Sequence, residues 1–333
     1  MQAIVLTKGG PPEVLQLREH PDPQPAAGQA CVRLKAAGLN HRDVWQRKGY
    51  PGPAPMILGS DGAGVVEAVG APADEGWIGR EVLINPSLHW GEREEAPGPG
   101  YQILGNPTPG TYAERIAIPV ANLAAKPAHL DWVQAAALPL AGLTAWRALF
   151  TQGRLKAAQT VLLPGIGSGV AGFALIFAKR VGARVIVTSS DDAKLARARA
   201  QGADAAVNYR HEAWEAEVRE AAGSAGIDVV VDHSGEKTLP AAVRLVRAGG
   251  RVVFLGATTG VELRLNIREL FFHQVHLIGT TMGSPREFAA LLRFVEEQRI
   301  VPEVHHRHPL AEAAQAHALL EAGSQYGKVV LTI

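Results

Sequence analysis

A single cysteine, Cys31, stands in 333 residues, so no disulfide closes within one chain and no cysteine-rich zinc knuckle can form. Aromatic residues are scarce at 6%, and 33 Lys and Arg against 32 Asp and Glu leave a formal charge of only +1. That balance supplies no basic field for nucleic acid or an anionic membrane, and no acidic one for a cationic partner. Long apolar runs are missing as well. The most apolar stretch, 133–150, is broken by Gln134, Pro139, Gly142 and Arg147 and reads as buried helix and turn rather than a membrane span. The opening Met1-Gln2-Ala3-Ile4-Val5-Leu6 alternates into a strand, without the basic-then-apolar layout of a signal peptide. These absences lead to the expectation of a soluble cytoplasmic protein with neither a nucleic-acid nor a membrane partner.

What is present is a globular composition, 47% hydrophobic with 36 glycines, in a chain long enough for two cores. Its texture changes along the sequence. Residues 1–124 read as short strands between Gly/Pro turns: 30–36 alternate with period two, as do 64–70, while 51–55 and 96–100 are proline- and glycine-rich loops. Residues 125–265 alternate strand and helix, with buried-type strands expected at 160–163, 184–188, 228–232 and 251–256. Such alternation implies a doubly wound parallel sheet with helices on both faces, an α/β fold. Residues 266–333 carry an amphipathic helix near 285–298 and end in a strand at 328–333, expected to return to the first domain.

The turn Gly165-Ile166-Gly167-Ser168-Gly169-Val170-Ala171 lies between a buried strand and a helix expected over 170–181. That context suits a dinucleotide: glycines let the backbone approach a pyrophosphate, and the helix N-terminus stabilises its charge. Counted from Gly165, the strict glycine pattern fails at Val170, where Ala171 is expected to make the close helix–strand contact. The next strand ends Val187-Thr188-Ser189-Ser190, with no carboxylate at its tip to accept the ribose hydroxyls of NAD. Asp191 and Asp192 read as the cap and first turn of the following helix. The small hydroxyls leave room for a 2′-phosphate and Lys194 offers it positive charge, so NADPH is expected ahead of NADH.

Over nearly its full length the chain resembles the medium-chain dehydrogenase/reductase superfamily, especially its quinone oxidoreductase-like branch. The matching stretches are Gly9-Gly10-Pro11-Pro12-Glu13-Val14-Leu15, Gly38-Leu39-Asn40-His41-Arg42-Asp43, Gly59-Ser60-Asp61-Gly62-Ala63-Gly64-Val65-Val66, Ala137-Leu138-Pro139, Gly249-Gly250-Arg251 and Gly327-Lys328-Val329-Val330-Leu331. The resemblance implies a GroES-like, mostly β catalytic domain, a Rossmann domain, a cleft between them, and a homodimer or homotetramer. It adds Tyr209 beside Lys194 as a holder of the 2′-phosphate, and Thr144 and Gly256 to the cofactor set of Gly165, Gly167, Ser168, Gly169, Val170 and Ser189.

The departures from the family are as informative. Where zinc members carry their catalytic ligands, this chain has Asn40, Ser60 with Asp61, and Ala141. An amide, a hydroxyl and a methyl do not replace thiolate, imidazole or carboxylate, so zinc is expected to be absent. The segment 85–109 has the length of the family's structural-zinc lobe but no cysteine. The cluster His305-His306-x-His308 reads as a solvated strand end, since neighbouring imidazoles on a strand face opposite ways. Without a Lewis acid, hydride addition to a quinone or an enone is easier than alcohol oxidation. Asn40 is expected to orient substrate or nicotinamide and Asp43 to position its loop, with Tyr50, Ser60 or a water as proton donor. The rival readings are an alcohol or aldehyde dehydrogenase of the same fold, a metal enzyme with unusual ligands, and a crystallin-like protein that binds NADPH without turnover.

Overall fold

A computed structural model of the chain describes residues 1–49 and 55–333. The apolar runs of the second half become strands covered on both faces, as parallel sheets require. One six-stranded sheet has the order Ala205–Asn208, Arg184–Ser189, Thr160–Leu163, Ile227–Asp232, Val246–Phe254, His276–Gly279, every neighbouring pair parallel. Numbered along the chain this is the 3-2-1-4-5-6 order of a dinucleotide-binding sheet, with its reversal between Thr160–Leu163 and Ile227–Asp232. Leu162, Ile186, Val230 and Val252 are fully buried and pack with Val218, Ala242 and Val243 of the covering helices Trp214–Ala222 and Leu239–Leu245.

The first unit is built around the strand Gln29–Gly38, which is long enough to pair antiparallel with Asp61–Val69, Arg115–Pro119 and Lys328–Thr332. Its alternating side chains Ala30, Val32 and Leu34 point into a core with Val66, Val82, Ile84 and Ile116. The chain thus divides into Met1–Leu143 with Gly283–Ile333, and Thr144–Met282. These breaks fall later than the 124/125 and 265/266 expected from sequence texture. Leu123–Ala125 is still a strand, paired with Glu81–Ile84, and the helix Trp132–Ala137 packs on Gln29–Gly38 and Asp61–Val69. At the other break, His276–Gly279 is the last strand of the parallel sheet and holds residues 266–282 in the second unit.

The apolar stretch at 133–150 forms Trp132–Ala137, Pro139–Trp146 and a π-helical turn, Arg147–Gln152. Among the described residues no helix is long and apolar enough to cross a membrane. In the 85–109 segment Ser87–Leu88 pairs with Gln102–Ile103, and the buried Trp90 meets Tyr101 edge-on with ring centroids 5.3 Å apart. The indole N–H donates to the Arg93 carbonyl at 2.8 Å, which satisfies the polar end of the buried ring. Its Glu94 accepts from the Ser284 hydroxyl at 2.6 Å, at the start of the helix Pro285–Glu297. His305, His306 and His308 lie on the strand Val304–Pro309, where His308 Nδ1 pairs with Glu312 at 3.1 Å. No cluster of three or more His, Cys, Asp or Glu suited to a metal ion occurs among the described residues.

Candidate functional site

Three strand ends meet beside Asn40. Gly38 pairs with Asp61 on one side and with Val330 on the other, so extending the second register brings Lys328 level with Asn40. Gly38 is needed there: a Cβ would lie 2.5 Å from the Ala136 carbonyl oxygen and 3.1 Å from Asp61 Cβ. The Lys328 ammonium, 3% exposed, donates to Asn40 Oδ1 at 2.7 Å, to the Leu39 carbonyl at 2.7 Å and to Asp61 Oδ2 at 2.9 Å. Asn40 Nδ2 donates to the same Asp61 oxygen at 3.0 Å, and the Leu140 N–H donates to Asp61 Oδ1 at 2.7 Å. Asn40 stands at the N-cap of the helix His41–Arg47, where the Asp43 side chain accepts from its backbone N–H. Its side-chain oxygen also accepts from the lysine.

Asp43, in the first turn of the same helix, accepts from the Asn40 backbone N–H at 2.8 Å and from the Tyr112 hydroxyl at 2.9 Å. It therefore fixes the backbone that carries Asn40. Ser60 is fully buried, donates to the Leu104 carbonyl at 2.7 Å and accepts from Arg42 at 2.7 Å. Its proton is directed at that carbonyl. Tyr50 lies outside the described residues. Sequence reasoning names Asp61 only at a lost zinc position and gives Lys328, Arg42 and Tyr112 no role; a lysine inside an apolar terminal strand is the available signal.

Two buried titratable groups flank the Tyr112 ring. Burial raises the Asp43 carboxyl from 3.8 to about 6, against the pull of Arg42, the Asn40 N–H and Tyr112. Burial, helped by the Arg47 charge, lowers His317 from 6.5 to about 3; Glu321 opposes that shift. The His317 ring stands edge-on to Tyr112 at 5.8 Å, and neither nitrogen has a partner among the described residues. Asp43, with a folded pKa above its unfolded one, contributes stability that is present below about 4 and lost as pH rises through about 6, in all about 3 kcal/mol. His317, with a depressed folded pKa, contributes stability that is present above about 6.5 and lost at about 1.4 kcal/mol per pH unit on acidification. The two slopes cancel between roughly pH 4 and 6. In urea unfolding, Asp43→Asn is expected to lose stability with acid relative to the parent, and His317→Phe to gain it. Parallel profiles for parent and both variants would contradict these assignments.

The glycine turn lies in the second unit. The helix Gly169–Arg180 follows Ser168, whose hydroxyl caps it by accepting the Ala171 N–H at 3.2 Å. Gly165 and Gly167 have φ of +72° and +125°, a region that side chains rarely adopt. Val170 is the helix's second residue, and Ala171 is buried. His233, just past the fourth-strand segment Ile227–Asp232, buttresses the turn: its Nε2 lies 3.2 Å from both the Ser168 hydroxyl and the Gly165 carbonyl. The sequence reading missed this histidine. A Cβ at Gly256 would lie 2.1 Å from the His233 carbonyl oxygen, so only glycine fits there. Thr144 is buried in the helix Pro139–Trp146.

At the tips of the second and third strands, Ser189 pairs with Asn208, and the Tyr209 N–H donates to the Ser189 carbonyl at 3.1 Å. Tyr209 is exposed and Lys194 half-buried in the first turn of the helix Asp192–Ala200. Asp191 caps that helix through the Ala193 and Lys194 N–H groups at 2.8 and 3.2 Å, and Asp192 accepts from Asn208 Nδ2 at 2.8 Å. Both carboxylates are thus occupied by local structure. The open backbone of the turn, the N-terminus of a twelve-residue helix and the hydroxyl-lined strand tip fit a nicotinamide dinucleotide.

The alcohol dehydrogenase GroES-like domain family matches residues 26–128, and the zinc-binding dehydrogenase family matches residues 169–297. The quinone oxidoreductase of Pseudomonas aeruginosa is 32% identical, over 97% of this chain and 96% of that protein. The zinc-type alcohol dehydrogenase-like protein YogA of Leptosphaeria maculans is also 32% identical, over 96% and 94%. A solved NAD-dependent alcohol dehydrogenase superposes with a TM-score of 0.93 at 44% identity, over 100% of both chains.

Proposed function

Because the chain belongs to the medium-chain dehydrogenase/reductase superfamily, an oxidoreductase family served by nicotinamide cofactors, we propose that it is a zinc-independent reductase using NADPH to reduce quinones or α,β-unsaturated carbonyl compounds. The observation that carries this reading is the Lys328 ammonium bonded to Asn40 and Asp61: at these positions a catalytic zinc would need thiolate, imidazole or carboxylate ligands, and finds an amide and a carboxylate already paired with a cation. A divalent cation placed there would face a buried like charge, and the donor set does not fit it. NADPH, when bound, supplies the hydride. Asn40 offers an amide N–H to the acceptor oxygen on which negative charge develops, which is how an enolate or hydroquinone anion is stabilised without a metal. Asp43 holds the Asn40 backbone in place. The proton that completes the reduction comes from water in this reading, since the Ser60 hydroxyl proton is engaged with Leu104. The cofactor preference rests on Lys194, Tyr209 and the hydroxyls at Ser189 and Ser190, with no carboxylate left unengaged at that tip.

A second reading, an alcohol or aldehyde dehydrogenase, is favoured by the 44% identity to the solved NAD-dependent alcohol dehydrogenase. The test is a panel of acceptors given to chelator-dialysed, metal-analysed protein with NADPH: 1,4-benzoquinone, cyclohexenone and a saturated aldehyde. Turnover of the first two without stoichiometric zinc is the expected result. Stoichiometric zinc with reduction of the aldehyde alone would establish the second reading. Tight NADPH binding with no turnover would leave a non-catalytic binder.

A further inference from the structure

We infer that Lys328 is a positioning residue: with Asp61 it locks the Asn40 amide in the one orientation that presents N–H to an acceptor oxygen. The inference rests on the reductase reading for its chemistry, but its geometry stands alone. An ammonium can only donate and an ionised carboxylate can only accept. Asn40 Oδ1 therefore belongs at Lys328, 2.7 Å away, and Nδ2 at Asp61, 3.0 Å away. Flipping the amide would set NH2 against ammonium and carbonyl oxygen against carboxylate, two repulsive contacts in a buried site. An orientation that is ordinarily ambiguous for asparagine is here fixed by charge.

The lysine is not itself the acid. Its three N–H groups go to Leu39, Asn40 and Asp61, which leaves no proton aimed elsewhere. Its bond to Oδ1 polarises the amide and strengthens the N–H on the far side. The second Nδ2–H of Asn40 bonds to no described residue and is the group left to meet a ligand. Asp61 balances the charge, so the knot as a whole is neutral and costs no net buried charge. A metal site achieves electrophilic stabilisation with a cation touching the substrate oxygen. Here a cation one residue removed fixes and polarises an amide that does so.

A double variant tests this, because Lys328→Met alone leaves Asp61 buried without its counter-charge. Lys328→Met combined with Asp61→Asn is neutral, retains similar volume and frees the amide to turn. The double variant is expected to fold and to bind NADPH as the parent does, read by nicotinamide fluorescence. Its kcat for cyclohexenone is expected to fall on the order of tenfold to hundredfold with the NADPH KM unchanged. A folded double variant with parental kcat would overturn the inference, because a merely structural ion pair is replaced by its neutral counterpart without loss. The second readout needs no turnover. In ¹⁵N-labelled protein the Asn40 side-chain amide signals, assigned by their loss in Asn40→Leu, are expected to shift and broaden in the double variant. Unchanged signals would likewise overturn the inference. Should the parent reduce no acceptor at all, the reductase reading fails while the amide signals still decide the orientation.

Discussion

Replacing Asn40 by Leu is expected to lower kcat for quinone or enone reduction by about two to three orders of magnitude, the usual loss when a single donor to a developing oxyanion is removed. Leucine has a similar volume and leaves Lys328 its bonds to Asp61 and Leu39, so the ion pair is not orphaned. The NADPH dissociation constant is expected to stay near the parental value. Steady-state kinetics with separate cofactor titration distinguishes the two sides of the reaction. A rise in the cofactor constant with kcat preserved would move Asn40 from the acceptor to the nicotinamide. An unaffected kcat would remove it from the chemistry.

The second large effect belongs to Lys194. If its ammonium pairs with the 2′-phosphate, Lys194→Ala is expected to raise the NADPH KM roughly tenfold to a hundredfold, the range for a charge-assisted hydrogen bond to phosphate, and to leave NADH nearly unchanged. Tyr209→Phe acts in the same direction with a smaller loss, since its backbone N–H still holds the Ser189 carbonyl. Ser190→Asp places a carboxylate at the strand tip and is expected to favour NADH. Equal losses with both cofactors in Lys194→Ala would contradict the role. A parent that prefers NADH would contradict it at the outset, and would bring the chain closer to the alcohol dehydrogenase reading.

The parallel sheet was legible because burial on both faces writes each strand as a continuous apolar run, and because the glycine turn falls between the first run and a helix. The expected segments at 160–163, 184–188 and 228–232 lie within Thr160–Leu163, Arg184–Ser189 and Ile227–Asp232. The unit boundaries were not legible in the same way. Residues 126–143 change texture toward helix while packing on the sheet that precedes them, so composition alone places the break too early. The site was half readable. Asn40 and Asp43 stand three residues apart in one motif, but Lys328 lies 288 residues from Asn40 and meets it only through the register of the last strand on Gln29–Gly38. Such a pairing leaves no local signature. His233 escaped for the same reason, 65 residues from the Ser168 it supports.

The central claim, conjugate reduction from NADPH without a metal, is tested most directly by following the transferred hydrogen. Chelator-dialysed protein would be given cyclohexenone and NADPH deuterated at C4 on either face, and the product examined by NMR. Deuterium at the β-carbon of a saturated ketone is the predicted result. Deuterium on the carbinol carbon of an allylic alcohol, or turnover that returns only when zinc is added, would contradict it.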